Sequence, residues 1–200
     1  MKFILGQMPR DDSFCPEEHG WTFLKEPPPS ILFLVAVLLG VLFGLGTTFL
    51  WVALTPIELS RFNLLYSLLV FPCIIPLHEL GHALILLAKK GVHKTFFGFW
   101  PARFAFYVYY TGPLSRPRYM TISIFPYLLL SILPLLICAL FRATSFIVAY
   151  AGIANSFLCG ADFATFLIVL CRVPAGTVLR QQGCDTWWIS KNLTVSSHHK

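Results

Sequence analysis

From Ile31 to Leu54 the chain runs for 24 residues without one charged side chain. A helix of that length rises about 36 Å, more than the roughly 30 Å of hydrocarbon in a bilayer. Three further stretches share this character: Leu64 to Ala88, Tyr119 to Phe141 and Ser145 to Cys171. The second is interrupted by Pro72 and Pro76 and carries His78, Glu79 and His82, while the fourth carries Asp162. The pattern predicts an all-α integral membrane protein with four transmembrane helices. The first apolar run follows Pro27-Pro28-Pro29 and is too long and too far from the start for a cleaved signal peptide, so it is expected to remain in the mature protein.

Composition agrees with this reading. Hydrophobic residues make up 56% of the 200 and charged residues only 12%, against about a quarter charged in an average soluble domain, which excludes an ordinary soluble monomer. The net charge of +6 comes from bases clustered between apolar runs, a distribution that favours the anionic surface of a lipid bilayer over nucleic acid. Of six cysteines, Cys73, Cys138, Cys159 and Cys171 lie inside apolar runs. They read as small buried hydrophobes rather than a disulfide framework.

Lysine and arginine collect on the cytoplasmic side of membrane helices. With the N-terminus inside, thirteen bases fall in the cytoplasm, among them Lys89, Lys90, Lys94, Arg103, Arg116 and Arg118 between the second and third spans, and only Arg61 and Arg142 fall outside. Both termini are therefore expected in the cytoplasm, with a cytoplasmic N-terminal segment (1–30), a membrane domain (31–172) and a cytoplasmic tail (173–200). Between Thr95 and Tyr110 the sequence TFFGFWPARFAFYVYY is aromatic and partly alternating, and it ends at the turn signal Thr111-Gly112-Pro113. Two readings stand: an interfacial aromatic patch, or a short β-hairpin at the cytoplasmic face. A hairpin would offer a free edge to which an extended peptide could add as a further strand. In the tail, Cys184-Asp185 and Trp187-Trp188 lack metal-ligand spacing and read as an interfacial tryptophan anchor.

Only Glu79 and Asp162 among the nine acids lie within the apolar runs. An ionised group at mid-bilayer costs about 2.5–3.5 kcal/mol on insertion scales, so both acids call for a compensating partner. His78-Glu79-Leu80-Gly81-His82 has the H-E-x-x-H pattern of zinc hydrolases. On a helix, four residues advance about 400° and 6 Å, so both histidines share one face and can share one tetrahedral metal, while Glu79 stands about 100° away, where a general base belongs. A catalytic zinc takes a third protein ligand, and Asp162 is the intramembrane candidate. Counted from the cytoplasmic flanks Lys89 and Arg172, His78, His82 and Asp162 stand 11, 7 and 10 residues in, at comparable depth. Without metal, the same histidines could hydrogen-bond Asp162 or backbone carbonyls between helices. The terminal His198-His199 pair can take up metal adventitiously.

The stretch Pro76-Leu77-His78-Glu79-Leu80-Gly81-His82-Ala83-Leu84, with FYVYYTGPLSR from Phe106 to Arg116 and Asn155 followed by Gly160-Ala161-Asp162, resembles the site-2 protease type of intramembrane zinc metalloprotease. It is more similar still to a family of small bacterial membrane zincin peptidases, over most of the chain from about Leu64 onward. The resemblance implies zinc held by His78, His82 and Asp162, with Glu79 as base, in a bacterial cytoplasmic membrane. Site-2 proteases place glycine directly after the ligand aspartate; here Gly160 precedes Asp162 and Phe163 follows it. The resemblance also implies a substrate-holding or oxyanion role for Asn155, seven residues before Asp162, and an ordinary interhelical hydrogen bond is the other reading. Gly40, Gly44 and Gly46 in the first run provide small-residue helix contacts.

The function expected is hydrolysis of a peptide bond in a membrane-associated protein or peptide, with zinc-activated water and Glu79 as general base. Two alternatives keep the polar cluster: a catalytically inactive substrate-binding adaptor with structural zinc, and a metal carrier. A carrier would normally show paired broken repeats, which the sequence lacks.

Overall fold

A computed structural model of the chain describes residues 2–57, 63–87, 94–103, 105–143 and 145–190. Ala88, Lys89, Lys90, Arg61, Phe104 and residues 191–200, which enter the expectations above, lie outside the described residues.

The protein is mostly helical, with α1 (Pro29–Leu54), α2 (Leu64–Leu87), α3 (Arg116–Tyr127), α4 (Leu133–Leu140), α5 (Phe146–Leu158) and α6 (Gly160–Arg172). A π turn, Leu128–Ile132, joins α3 to α4, so that Arg116–Leu140 forms one apolar helix. Together with Pro29–Leu54 and Leu68–Leu87 this makes three helices long and apolar enough to cross a membrane among the described residues. The fourth expected span is not one straight helix: α5 and α6 meet at a 44° bend. The bend falls at Cys159-Gly160, where the backbone of Gly160 comes so close to α1 that a side chain there would collide with it. The third span begins at Arg116 rather than Tyr119. Despite Pro72 and Pro76, α2 continues without interruption, although each proline removes a donor and leaves the carbonyls of Leu68 and Pro72 without their helical partners.

The expectation of an all-α chain is corrected by two β-sheets. Strands β1 (Lys2–Leu5), β3 (Thr95–Trp100) and β4 (Ala105–Tyr110) form one, in the order β1-β3-β4; β2 (Thr22–Phe23), β5 (Leu114–Ser115), β6 (Thr177–Gln182) and β7 (Asp185–Ser190) form the other, in the order β2-β7-β6-β5. The expected hairpin is present as antiparallel β3–β4, with Thr95 opposite Tyr110 and Trp100 opposite Ala105. Its β3 edge is covered by β1 in parallel register, and β1 and β4 are the two outer strands. The tail makes a second hairpin around Gly183-Cys184, with Gly183 at φ +62°, a conformation glycine adopts at little cost. Trp187 and Trp188 are thereby paired in β7, opposite Arg180 and Leu179.

By internal contacts the chain divides into two compact units, residues Met1–Glu26, Ala83–Ile122 and Phe166–Lys200 in one, and Pro27–His82 and Ser123–Thr165 in the other. The first holds both sheets and an apolar core of Leu24, Leu86, Leu114, Tyr119, Val169, Val173 and Leu179. Its N-terminal segment is tied to β6: Arg180 pairs with the Asp11 carboxylate at 2.5 Å, its guanidinium lies 3.9 Å over the Phe14 ring, and the Gln182 amide donates to Asp11 O at 2.9 Å. Hydrogen bonds from Ser13, chiefly its hydroxyl at 2.5 Å, and the charge of Arg180 hold the Asp11 carboxyl below its ordinary range. A depressed folded-state pKa means that the stabilisation is present above the unfolded value and is lost as pH falls through the folded one. Asp11 is partly buried in a surface pair, so the effect is small, within about 1 kcal/mol. Protection of the amides of residues 11–15 against exchange, relative to their intrinsic rates, should fall below about pH 4 in the parent, while an Asp11→Asn variant should show the lower protection at every pH.

The second unit is inverted relative to a soluble domain. Along α1 the large apolar residues point outward, with Phe33 72%, Leu42 64% and Phe49 70% exposed, while Gly40, Gly44, Thr47 and Trp51 are buried. Water would oppose this arrangement, whereas lipid favours it, because in a bilayer helices gain by packing small and polar residues against one another. The inner face is close-packed: Phe163 stacks on Phe43 with ring centroids 3.6 Å apart, and Trp51, Leu135, Ala149 and Ile153 share a core.

Candidate metal centre

The cluster of polar groups lies wholly within the second unit. On α2 the four-residue spacing brings His78 and His82 onto one face, their ring centroids 4.9 Å apart and their planes nearly perpendicular at 86°. A ligand atom of Glu79 lies within 4.8 Å of one from each histidine. Asp162 enters from the first turn of α6, where the positive end of the helix dipole favours a carboxylate. Its two oxygens divide between the histidines: Oδ2 stands 2.9 Å from His78 Nε2 and Oδ1 stands 3.3 Å from His82 Nε2. Thus the three residues expected to bind metal, and the expected base, occupy one place.

Asn155 also reaches this place, on the other edge of the same ring. Its Oδ1 stands 3.0 Å from His78 Nδ1, and its Nδ2 donates to Pro126 O at 3.0 Å and to Ser131 Oγ at 2.9 Å. The side chain is 0% exposed, and it makes the interhelical hydrogen bonds that were one of the two readings of it. Cys159 lies on the same side, with Sγ 3.8 Å from His78 Nδ1 and 3.5 Å from Asn155 Nδ2. Three neighbours of the cluster were not legible in the sequence. Ser131 and Pro126 supply the acceptors for Asn155, and Gly81 lets α2 approach α3, since a Cβ there would stand 3.3 Å from Pro126 Cγ. The one local signal for Gly81 is its position between the two histidines, as the one glycine of α2.

The donor set fits a small divalent cation. Atoms about 2.0–2.1 Å from zinc at tetrahedral angles stand about 3.3 Å apart, close to the two histidine–carboxylate separations. Asp162 Oδ2 is buried and stands 2.9 Å from His78 Nε2, a separation at which a ring nitrogen and a carboxylate oxygen share a cation, either a proton or a metal ion.

A family model described as "Putative zincin peptidase" matches residues 71–178, more than half of the chain, and those residues include the whole cluster. No curated protein and no solved structure matches the chain.

Proposed function

The chain belongs to the zincin-peptidase family, and from that membership and the cluster on α2 and α6 we propose that it is a membrane-embedded zinc metallopeptidase of the site-2 protease type. His78, His82 and Asp162 hold the metal, and Glu79 is the general base. The observation that carries this reading is the convergence of two imidazole nitrogens on the two oxygens of one partly buried carboxylate, at 2.9 and 3.3 Å. Zinc bound there supplies Lewis acidity, polarising a carbonyl and rendering water acidic enough to lose its proton near neutral pH.

The protein's own groups do the rest. Glu79, within 4.8 Å of the histidine ligand atoms, accepts the proton of the attacking water and passes it to the amine nitrogen as the peptide bond breaks. Substrates are membrane-associated proteins or peptides, because the cluster lies among helices whose outer faces suit lipid. A helical substrate hides its scissile carbonyl within its own hydrogen bonds and must unwind before attack. The outer strand β4 offers an edge to which an extended segment can add. The thirteen-to-two bias of basic residues supports both termini on the cytoplasmic side, and the resemblance to small bacterial membrane zincin peptidases points to a bacterial cytoplasmic membrane.

The test is metal content. In detergent-purified protein carrying His198→Ala and His199→Ala, about one zinc per chain is expected. Adding Asp162→Ala should lower affinity, measured by chelator competition, by at least the roughly 10–100-fold typical of losing an outer-shell partner. No tightly held zinc after metal supplementation would overturn the reading.

A further inference from the structure

We propose that Asn155 is a positioning residue that sets the tautomer of His78, keeping the proton on Nδ1 so that Nε2 is free to bind metal. The direction of every hydrogen bond around the amide follows from what its partners can do. Pro126 O can only accept, so the group 3.0 Å from it must be the Nδ2 end of the amide; reversing the amide would set two carbonyl oxygens face to face. Ser131 Oγ gives its own proton to Gly152 O at 2.7 Å and therefore accepts from Asn155 at 2.9 Å. Both Nδ2 protons are thus engaged, and the remaining group, Oδ1, faces His78 Nδ1 at 3.0 Å. An amide oxygen has no proton to give, so the bond forms only when Nδ1 carries one. In the neutral ring, Nε2 is then left as an acceptor, turned toward Asp162 and 2.9 Å from its Oδ2.

The anchor of this device is built into the helix before it. Ser131 lies in the π turn Leu128–Ile132, and Pro126 precedes that turn by two residues. A π turn departs from the regular helical ladder and is a frequent feature of functional sites. Ser131, Asn155 and Ser156 are fully buried, and Ser156 extends the network to Gly152 O at 2.8 Å and Thr47 Oγ1 at 3.0 Å. With several partners fixing its orientation, the amide cannot rotate to offer a donor to His78 without breaking buried bonds, each costly to leave unmade.

The metal-binding consequence rests on the proposed zinc site, but the tautomer itself does not, and the experiment separates the two. Full-length protein carrying Asp162→Ala, which removes the carboxylate that would draw the ring proton to Nε2 when no metal is bound, is labelled with 15N-histidine, stripped of metal and studied in detergent at a pH where the ring is neutral, the His78 signals being assigned by their loss on adding His78→Ala. With Asn155 intact this protein should show a protonated Nδ1 and a bare Nε2. Adding Asn155→Ala should give a mixture of tautomers, and Asn155→Ala alone should cost the parent about 10–100-fold in zinc affinity. Ser131→Ala, which leaves Asn155 in place with one anchor fewer, should fall between parent and Asn155→Ala in zinc affinity.

A bond of merely structural value would lower the melting temperature in these variants without moving the ring proton. An Nε2–H tautomer with Asn155 intact, or an Nδ1–H tautomer undisturbed by Asn155→Ala, would overturn the assignment. Should Asn155→Ala fail to fold, the tautomer with Asn155 intact and the zinc affinity of Ser131→Ala decide it, since an Nε2–H ring or parent-like affinity counts against the proposal. The expected tautomer with no zinc bound by the parent would instead remove the metallopeptidase reading and leave Asn155 as assigned.

Discussion

Glu79→Gln should leave the zinc content of the purified protein at the parent level and lower cleavage of a membrane-anchored reporter by about 10²–10⁴-fold, the usual contribution of a positioned general base. At about 1.36 kcal/mol per decade, that is roughly 3–5 kcal/mol of transition-state stabilisation. Glutamine keeps the length and planarity of the side chain, and it loses the capacity to take a proton. Metal should remain, because Asp162 already supplies carboxylate oxygens at 2.9 and 3.3 Å from the two histidine nitrogens, and Glu79 sits about 100° around the helix from His78. Nor should the fold suffer: within an apolar helix, an ionised carboxyl is an expense that the amide avoids. Loss of activity with an unchanged or raised melting temperature is therefore the expected result. Parent-like cleavage by a zinc-loaded variant would dismiss Glu79 as the base. Loss of zinc together with activity would make it a ligand.

What could be read in the sequence was what depends on local pattern. The apolar runs marked the helices, the His-Glu-x-x-His spacing marked one helical face, and residue counting from the basic flanks matched Asp162 in depth to the histidines. What could not be read depends on partners distant in the chain. Strand β1 pairs with β3 more than ninety residues away, Lys2 against Phe96, and neither Lys2–Leu5 nor Thr22–Phe23 is long enough to announce itself. The tail hairpin had a turn signal in Gly183, but its tryptophans suit a membrane interface equally well.

Asn155 shows the same limit at the candidate site. Seven residues before Asp162, it would share a face with it on a straight helix. The bend after Leu158 changes their relation, and the two side chains take opposite edges of the His78 ring, Asn155 at Nδ1 and Asp162 at Nε2. One residue then orients the imidazole and the other faces the nitrogen proposed to bind metal. The spacing alone did not distinguish this from two groups lining one surface.

The bend itself makes the second strong prediction. Gly160→Ala should lower both the thermal stability of the protein and its affinity for zinc, the latter by more than about 10-fold, the low end for disturbing a group that orients a metal ligand. A Cβ at position 160 would stand 2.0 Å from Ala36 O, 2.7 Å from Gly40 N and 2.9 Å from Gly40 Cα. All three are backbone atoms of α1, so no side-chain rotation can relieve the overlap and the helices must separate. Overpacking of this kind costs about 1–3 kcal/mol, occasionally more. Asp162 lies only two residues further on, and the displacement that makes room for the methyl group carries the carboxylate away from the histidines. The other glycines of the same unit supply a scale. At Gly81 a Cβ meets Pro126 Cγ at 3.3 Å, which a small adjustment accommodates, and at Gly46 it meets nothing within 4 Å. Alanine should therefore perturb zinc affinity in the order Gly160, Gly81, Gly46, with Gly46→Ala indistinguishable from the parent. Thermal unfolding in detergent and chelator competition on the three variants would check that order. Parent-like zinc affinity in Gly160→Ala would mean that the close approach of α1 to the α5–α6 corner does not govern where Asp162 stands.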